Sequence, residues 1–171
     1  MQCLLMRHGI AVEPQEWQGP ESDRPLTERG AKRVAQVASG LRRLDIEPTH
    51  ILSSPLIRAA ATAKIVQAML KTRASIRLID ELLPDASPEL LLTLLQRLPP
   101  ECCVLCVGHE PHLSQTASVL LTGKPSPAFP FKKAGVCSLE VTVPIKPGKA
   151  VLRWWMGPGS LRALGGKKGR G

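Results

Sequence analysis

The chain has 171 residues, 43% of them apolar and 22% charged, proportions that suit one folded domain and argue against a disordered, collagenous or coiled-coil protein. Aromatic residues are scarce, with three Trp, two Phe and no Tyr, so the core must be built from Leu, Val, Ile and Ala, and modules that stack bases on aromatic platforms are disfavoured. Lys and Arg outnumber Asp and Glu by 23 to 14, a formal charge of +9, which favours anionic partners by attraction at a distance without saying which anion.

The first apolar run, residues 2–6, stops at Arg7-His8-Gly9. A run of that length bounded by glycine suits a strand buried on both faces. Residues 13–25 are polar and hold three prolines, which reads as a surface loop. Thr27 then offers a helix N-cap, and Ala31, Val34, Val37, Ala38 and Leu41 form one apolar stripe opposite Lys32, Arg33, Gln36 and Arg43. A short strand is expected over residues 50–53. Ser54 and Pro55 follow as a cap residue and a first-position proline, and the helix they open places Leu56, Ala59, Ala63, Val66 and Leu70 inward.

Residues 75–79 give a third strand, Ser87-Pro88 opens a Leu-rich helix ending before Pro99-Pro100, residues 102–107 make a fourth strand, and residues 111–121 a further helix. Strands alternating with helices imply an α/β fold with a mainly parallel sheet covered on both sides. After a Pro-rich loop over residues 124–131, Cys137, Leu139, Val141 and Val143 alternate with Ser138, Glu140 and Thr142, the pattern of a half-exposed strand. Residues 150–156 pair with it as a hairpin, where Trp154 and Trp155 point to opposite faces, one toward the core and one partly exposed. Residues 1–164 are read as one domain, and residues 165–171, with Lys167, Lys168 and Arg170 among glycines, as a flexible basic tail.

No apolar run approaches the ~18 residues that span a bilayer, and residues 2–6 are too short for a signal-peptide core. A cytoplasmic location is expected, where five cysteines stay reduced. Cys103 and Cys106 spell C-x-x-C, but within a strand positions three apart face opposite ways, so they read as core thiols.

In open parallel sheets, ligands bind beyond the carboxyl ends of the strands. Three such ends carry related residues: Arg7 and His8 after the first strand, Arg58 in the first turn after the second, and His109 after the fourth. Two arginines and two histidines converging on one rim repel each other unless an anion joins them. Phosphate fits, because guanidinium forks match its oxygens and the helix starts near Pro55 and Pro111 add backbone donors. Two histidines with no metal-ligand carboxylate nearby suggest phosphoryl transfer through an imidazole, with no metal or other cofactor. His8 is the candidate nucleophile, provided one ring nitrogen donates to a nearby acceptor and the other stays bare. Gly9 would let phosphate approach closely, and Arg7, Arg58 and His109 would bind it and stabilise the charge on its equatorial oxygens. His50 and His112 take structural readings, Thr62 is read as packing or bonding a carbonyl, and the pairs Arg42-Arg43 and Lys132-Lys133 as solvated faces, either of which could contact an acidic partner protein.

Arg7-His8-Gly9, the run from Ser53 to Ala59 with Thr62, and Val107-Gly108-His109-Glu110 together resemble the histidine phosphatase superfamily, with its phosphoglycerate-mutase-like fold. Asp23-Arg24-Pro25-Leu26-Thr27 with Gly30, the short loops, and Trp154, Met156, Pro158 and Leu161 extend the resemblance to its SixA-like branch, small bacterial phosphohistidine phosphatases. The resemblance implies a three-layer α/β/α sandwich with one antiparallel strand, a phosphorylated His8 intermediate, and phosphate held by Arg7, Arg58 and His109. It also suggests a general acid after the third strand, where Glu81 aligns best beside Asp80 and Asp85, with Glu110 as a residue behind the site. A phosphoramidate leaving group asks less of such an acid than an alkoxide does.

The expected activity is therefore metal-independent removal of phosphate from phosphohistidine on a signalling phosphotransfer protein of the HPt type. The shallow open site expected from short loops suits a protein-borne phosphoryl group. The rivals are a phosphatase or mutase of the same superfamily acting on small phosphate esters, a non-catalytic phosphate-binding protein, and, ranked last, a nucleic-acid binder with no motif behind it. No membrane or nucleic-acid partner is expected, and the chain is expected to be a monomer.

Overall fold

The computed structural model describes residues 1–166, in which six strands and five α-helices alternate. The strands are β1 (Gln2–Arg7), β2 (His50–Ser53), β3 (Ile76–Leu78), β4 (Cys103–Gly108), β5 (Val136–Glu140) and β6 (Val151–Met156). The helices are α1 (Glu28–Arg43), α2 (Ile57–Leu70), α3 (Pro88–Leu95), α4 (His112–Thr122) and α5 (Pro158–Gly165). One sheet joins the strands in the order β3-β2-β4-β1-β5-β6. β1, β2, β3 and β4 run parallel to one another, β5 is antiparallel to β1, and β6 is antiparallel to β5, so β5 alone runs against the other five.

The pleat divides the core. Cys3, Leu5 and Cys106 face one layer with Leu91, Leu95, Leu113 and Leu120 of α3 and α4. Leu4, Met6, Leu105 and Val107 face the other, with Val34, Val37 and Leu41 of α1, Ala59, Ala63 and Val66 of α2, and Leu161 of α5. Helices on both faces of a mostly parallel sheet make the three-layer sandwich expected. The register levels the strand ends that matter, because Arg7 pairs with Gly108 and Ser53 with Val107.

Local chemistry sets the elements. The Thr27 hydroxyl accepts the Gly30 amide at 2.9 Å, capping α1. α2 departs from its expected start: it begins at Ile57 behind Leu56, with no side-chain cap, and the Ser54 hydroxyl instead accepts the Leu56 amide and lies against His109.

β5 corrects the half-exposed reading. Its residues are buried from Val136 to Leu139, Ser138 included, since β5 lies between β1 and β6 and both of its faces are covered. Ser138 satisfies its hydroxyl with the Gln2 side chain at 3.2 Å. Trp154 and Trp155 do take opposite faces, but both are half-buried, each against a different core layer. Cys103 and Cys106 also separate, and every cysteine is a free thiol.

α5 has no counterpart among the expected elements, although Gly157-Pro158 before Leu161 and Leu164 is a helix-start signal. It packs on α1 so closely that a Cβ on Gly40 would stand 2.0 Å from the Leu161 carbonyl oxygen. Helix α5 extends through Gly165. Residues 167–171, on which the expected basic tail falls, lie outside the described residues. Among the described residues no helix is long and apolar enough to cross a membrane.

The Gly40 contact is between backbones and cannot be relieved by a rotamer change. Gly40→Ala is therefore expected to destabilise the protein by about 1–3 kcal/mol or more through overpacking, measured by urea unfolding against Ser39→Ala, which alters a partly exposed neighbour and should shift the midpoint far less.

Candidate active site

β1 and β4 end side by side, and the residues just beyond them are His8 and His109, with ring centroids 4.9 Å apart. α2 brings Arg58 to the same end of the sheet, and Arg7 closes β1. The residue numbers span a hundred positions, yet three level strand ends bring the four side chains together.

His8 is 6% exposed and His109 2% exposed. The His8 Nδ1 lies 2.7 Å from the Gly9 carbonyl oxygen. A carbonyl can only accept, so Nδ1 carries the proton and Nε2 keeps its lone pair. Burial pushes the His8 pKa down to about 3, helped by the charges of Arg58, Arg7 and Lys133 despite the Gly9 bond acting against the fall. Burial likewise takes His109 to about 2, with His8, Arg58, His112 and Arg7 adding to it. Both rings are neutral at pH 7.

Neither arginine is left to wander. Arg7 donates from Nη1 to the Phe131 carbonyl at 2.7 Å. Arg58 is 4% exposed and donates from Nη1 to the Glu21 carbonyl at 3.0 Å, while its Nη2 lies 3.1 Å from a Glu21 carboxylate oxygen. Glu21 also takes a bidentate pair from Arg24, both bonds 2.8 Å, and these cations hold its carboxyl below the usual range. Burial lowers the pKa of both Arg7 and Arg58, which remain charged across the working range.

Among the described residues, six buried side-chain nitrogen or oxygen atoms find no hydrogen-bond partner: Arg7 Nε, Arg58 Nε, His109 Nδ1, both ring nitrogens of His112, and Thr116 Oγ1. Buried polar groups are ordinarily satisfied. Half of these exceptions belong to the arginines and the second histidine at this one rim, and all three atoms are potential donors to an oxyanion.

Two further contacts tie the motifs together. Thr62 accepts the Gly9 amide at 3.0 Å and donates to the Arg58 carbonyl at 2.7 Å, which binds the end of β1 to the first turn of α2. The Ser54 hydroxyl lies 2.8 Å from His109 Nε2. On the far side, the Glu110 carboxylate accepts the Phe131 amide and the Ser114 hydroxyl, each at 2.6 Å. The Phe131 peptide thus bridges Glu110 to Arg7.

Several expectations change. Gly9 has a further role in the fold: a Cβ there would stand 2.5 Å from Val34 Cγ2, so it admits α1, and its amide serves Thr62. The Leu56 and Leu113 amides at the two helix starts bond Ser54 Oγ and the His109 carbonyl, so these two donors are engaged within the protein. The site is less open than short loops suggest, because Glu21 and Arg24 fold the preceding loop onto Arg58. Glu81 lies half-buried on a short 3₁₀ turn whose Leu82 packs near Gly108, and no hydrogen bond or ion pair engages it among the described residues. His112 is a buried residue of α4. Lys133 is drawn out of the solvated-face reading by the loop 131–135, where the Ala134 amide bonds the Arg7 and His8 carbonyls at 3.1 and 3.0 Å. Sequence reasoning missed Glu21, Ser54 as a partner of His109, and the placement of Lys133 near His8. The pairing of Glu21 with Arg24 three residues on was the one available signal.

Residues 3–83 match the family model of the Histidine phosphatase superfamily (branch 1). An uncharacterized protein of Picosynechococcus sp. is 33% identical over 142 residues, covering 82% of this chain and 85% of its own. The phosphohistidine phosphatase SixA of Escherichia coli K12 is 29% identical over 95% of this chain and 97% of its own length. Among solved structures, the protein histidine phosphatase SixA complexed with tungstate superposes with a TM-score of 0.83 at 29% identity, over 94% of this chain and 99% of the other. The α-ribazole phosphatase of Shigella flexneri shares the fold, with a TM-score of 0.74 at 18% identity over 92% and 97% of the two chains. The family match and the likeness to SixA place this three-layer α/β/α domain among the phosphatases, a class of hydrolases. The chain belongs to the histidine phosphatase superfamily, and its likeness to SixA runs nearly from end to end.

The pKa directions carry a sign for stability. His8 and His109 titrate in the native protein near 3 and 2, far below the ordinary value near 6.5. As pH falls below about 6.5 the unfolded chain binds protons that the native state refuses, so stability is lost from about pH 6.5 downward. Thermal melts between pH 7.5 and 5, above most carboxylate titration, should show a falling Tm that the double variant H8Q/H109Q partly flattens. Thr62→Val is expected to cost about 1–3 kcal/mol by leaving the buried Gly9 amide unsatisfied, measured by denaturant unfolding.

Proposed function

We propose that the protein removes phosphate from phosphohistidine on a phosphotransfer protein of the HPt type, without a metal, through a phosphorylated His8. The observation that carries this reading is the His8 ring itself: its Nδ1–H is committed to the Gly9 carbonyl, so Nε2 is a neutral nucleophile beside two guanidiniums and a second neutral imidazole. Likeness to SixA over nearly the whole chain supports phosphohistidine over an ester.

The phosphoryl oxygens take the donors that the protein leaves unpaired on Arg7, Arg58 and His109. Arg58 exchanges part of its contact with the exposed Glu21 carboxylate for a phosphoryl oxygen. The His8 Nε2 lone pair forms the bond to phosphorus while the P–N bond to the substrate imidazole breaks; the bond pair returns to that nitrogen, and the imidazole leaves neutral because its other ring nitrogen already carries a proton. Phospho-His8, still donating Nδ1–H to Gly9, is an imidazolium and therefore a good leaving group. Water then attacks phosphorus and passes a proton to a phosphoryl oxygen, while the P–Nε2 bond breaks and its electron pair returns to His8, releasing phosphate. Charge that develops on the equatorial oxygens meets two arginines held in place before the reaction, and preorganised charge is the main catalytic lever in phosphoryl transfer. Ser54 fixes the His109 ring, and Glu81, on the segment after β3, is the carboxyl we assign to protonate a leaving group that needs a proton.

The test incubates the protein in EDTA with a phosphohistidine-bearing HPt domain and, separately, with phosphate esters, comparing wild type with His8→Ala. Phosphohistidine is expected to turn over faster than any ester, and His8→Ala to lose at least about a thousandfold, as nucleophile removal does elsewhere. Faster ester turnover would overturn the substrate, loss of activity in EDTA the metal independence, and an active His8→Ala the intermediate.

A further inference from the structure

The cations around the pocket are held in unequal ways. Arg58 and Arg24 are fastened by Glu21 and by backbone carbonyls, Glu21 for the first and Val12 for the second. Arg7 is fastened by the Phe131 carbonyl. Lys133 differs. It follows Lys132 on the loop whose Ala134 amide bonds the Arg7 and His8 carbonyls, so its backbone cannot drift from the site. Its side chain is 34% exposed and its contact is a 3.5 Å approach to the Glu13 carboxylate, longer than a well-made hydrogen bond. Glu13 itself is 58% exposed and comes from the loop after β1. A flexible ammonium parked on a surface carboxylate beside a phosphoryl pocket can exchange that carboxylate for one brought by a ligand.

We infer that Lys133, with Glu13 as its resting partner, forms a second anion subsite at the mouth of the pocket and selects ligands that carry a carboxylate next to the phosphoryl group. For a protein substrate, that carboxylate belongs to an acidic side chain flanking the phosphohistidine. The effect of the Lys133 charge on His8 agrees with its placement. Lys132 is the internal contrast: one residue earlier, it turns to a separate groove with Pro130, Trp155 and Pro158. The inference rests on the phosphoryl-pocket reading, and small ligands separate the two.

Binding of methylphosphonate, which has one anionic group, and of 3-phosphonopropionate, which adds a carboxylate, is measured by calorimetry at pH 7 on wild type, K133M, K132M and E13Q, with circular dichroism verifying each fold. Wild type should bind 3-phosphonopropionate about fivefold more tightly, the span of a rim ion pair. K133M should bring the ratio of the two affinities near one, whatever it does to methylphosphonate alone. K132M should preserve the ratio and E13Q should widen it. A ratio that survives K133M, or a wild-type ratio near one with methylphosphonate bound, overturns the subsite and leaves the pocket standing. Failure of methylphosphonate to bind wild type overturns both.

Discussion

Positive charge crowded out of water at the ends of β1, β4 and α2 is the constraint on which this molecule turns. Two guanidiniums and two imidazoles repel one another there and lose hydration by burial. The histidines answer by giving up their protons, which removes half of the potential charge. The arginines cannot do so, and protein acceptors hold them instead: the Phe131 carbonyl for Arg7, the Glu21 carbonyl and carboxylate for Arg58. The result is a rim with neutral nucleophilic nitrogen and fixed cationic charge side by side. Acyl and phosphoryl chemistry both reward that combination, because no reorganisation is needed when charge develops.

The supports for this rim come from polar contacts between distant parts of the chain. Thr62 joins Gly9 to Arg58, and the Phe131 peptide joins Arg7 to Glu110. These are buried or half-buried bonds whose loss leaves an unsatisfied group, so each is worth more as a constraint than its net contribution to stability suggests. The loop between β1 and α1 supplies the acidic counterpart through Glu13 and Glu21. It balances the cations of the free protein with carboxylates that remain exposed enough to leave.

The frame was legible in the chain because its signals are local. Period and punctuation located β1, α1, β2 and α3, and the alternation of strand and helix implied the parallel sheet. The four basic residues could be tied together by a general rule, that side chains just beyond parallel strand ends meet. β5 and α5 were harder for one physical reason. Whether Ser138 faces solvent depends on what lies on the outer face of the sheet, and α5 takes its place by backbone contact with Gly40, not through a long apolar stripe.

By itself the sequence determined the order of elements from β1 to β6, the candidate residues at the strand ends and the resemblance to a family, since these depend on residue type and near spacing. Tertiary structure alone decided which neighbours those residues have. It gave the Gly9 carbonyl to His8, Ser54 to His109 and Glu21 to Arg58, turned Gly9 toward α1, and brought Lys133 from 125 positions away to the edge of His8. Hydrogen bonds and charge act through distances of a few ångströms, and spacing along a chain does not encode such distances until the sheet has closed.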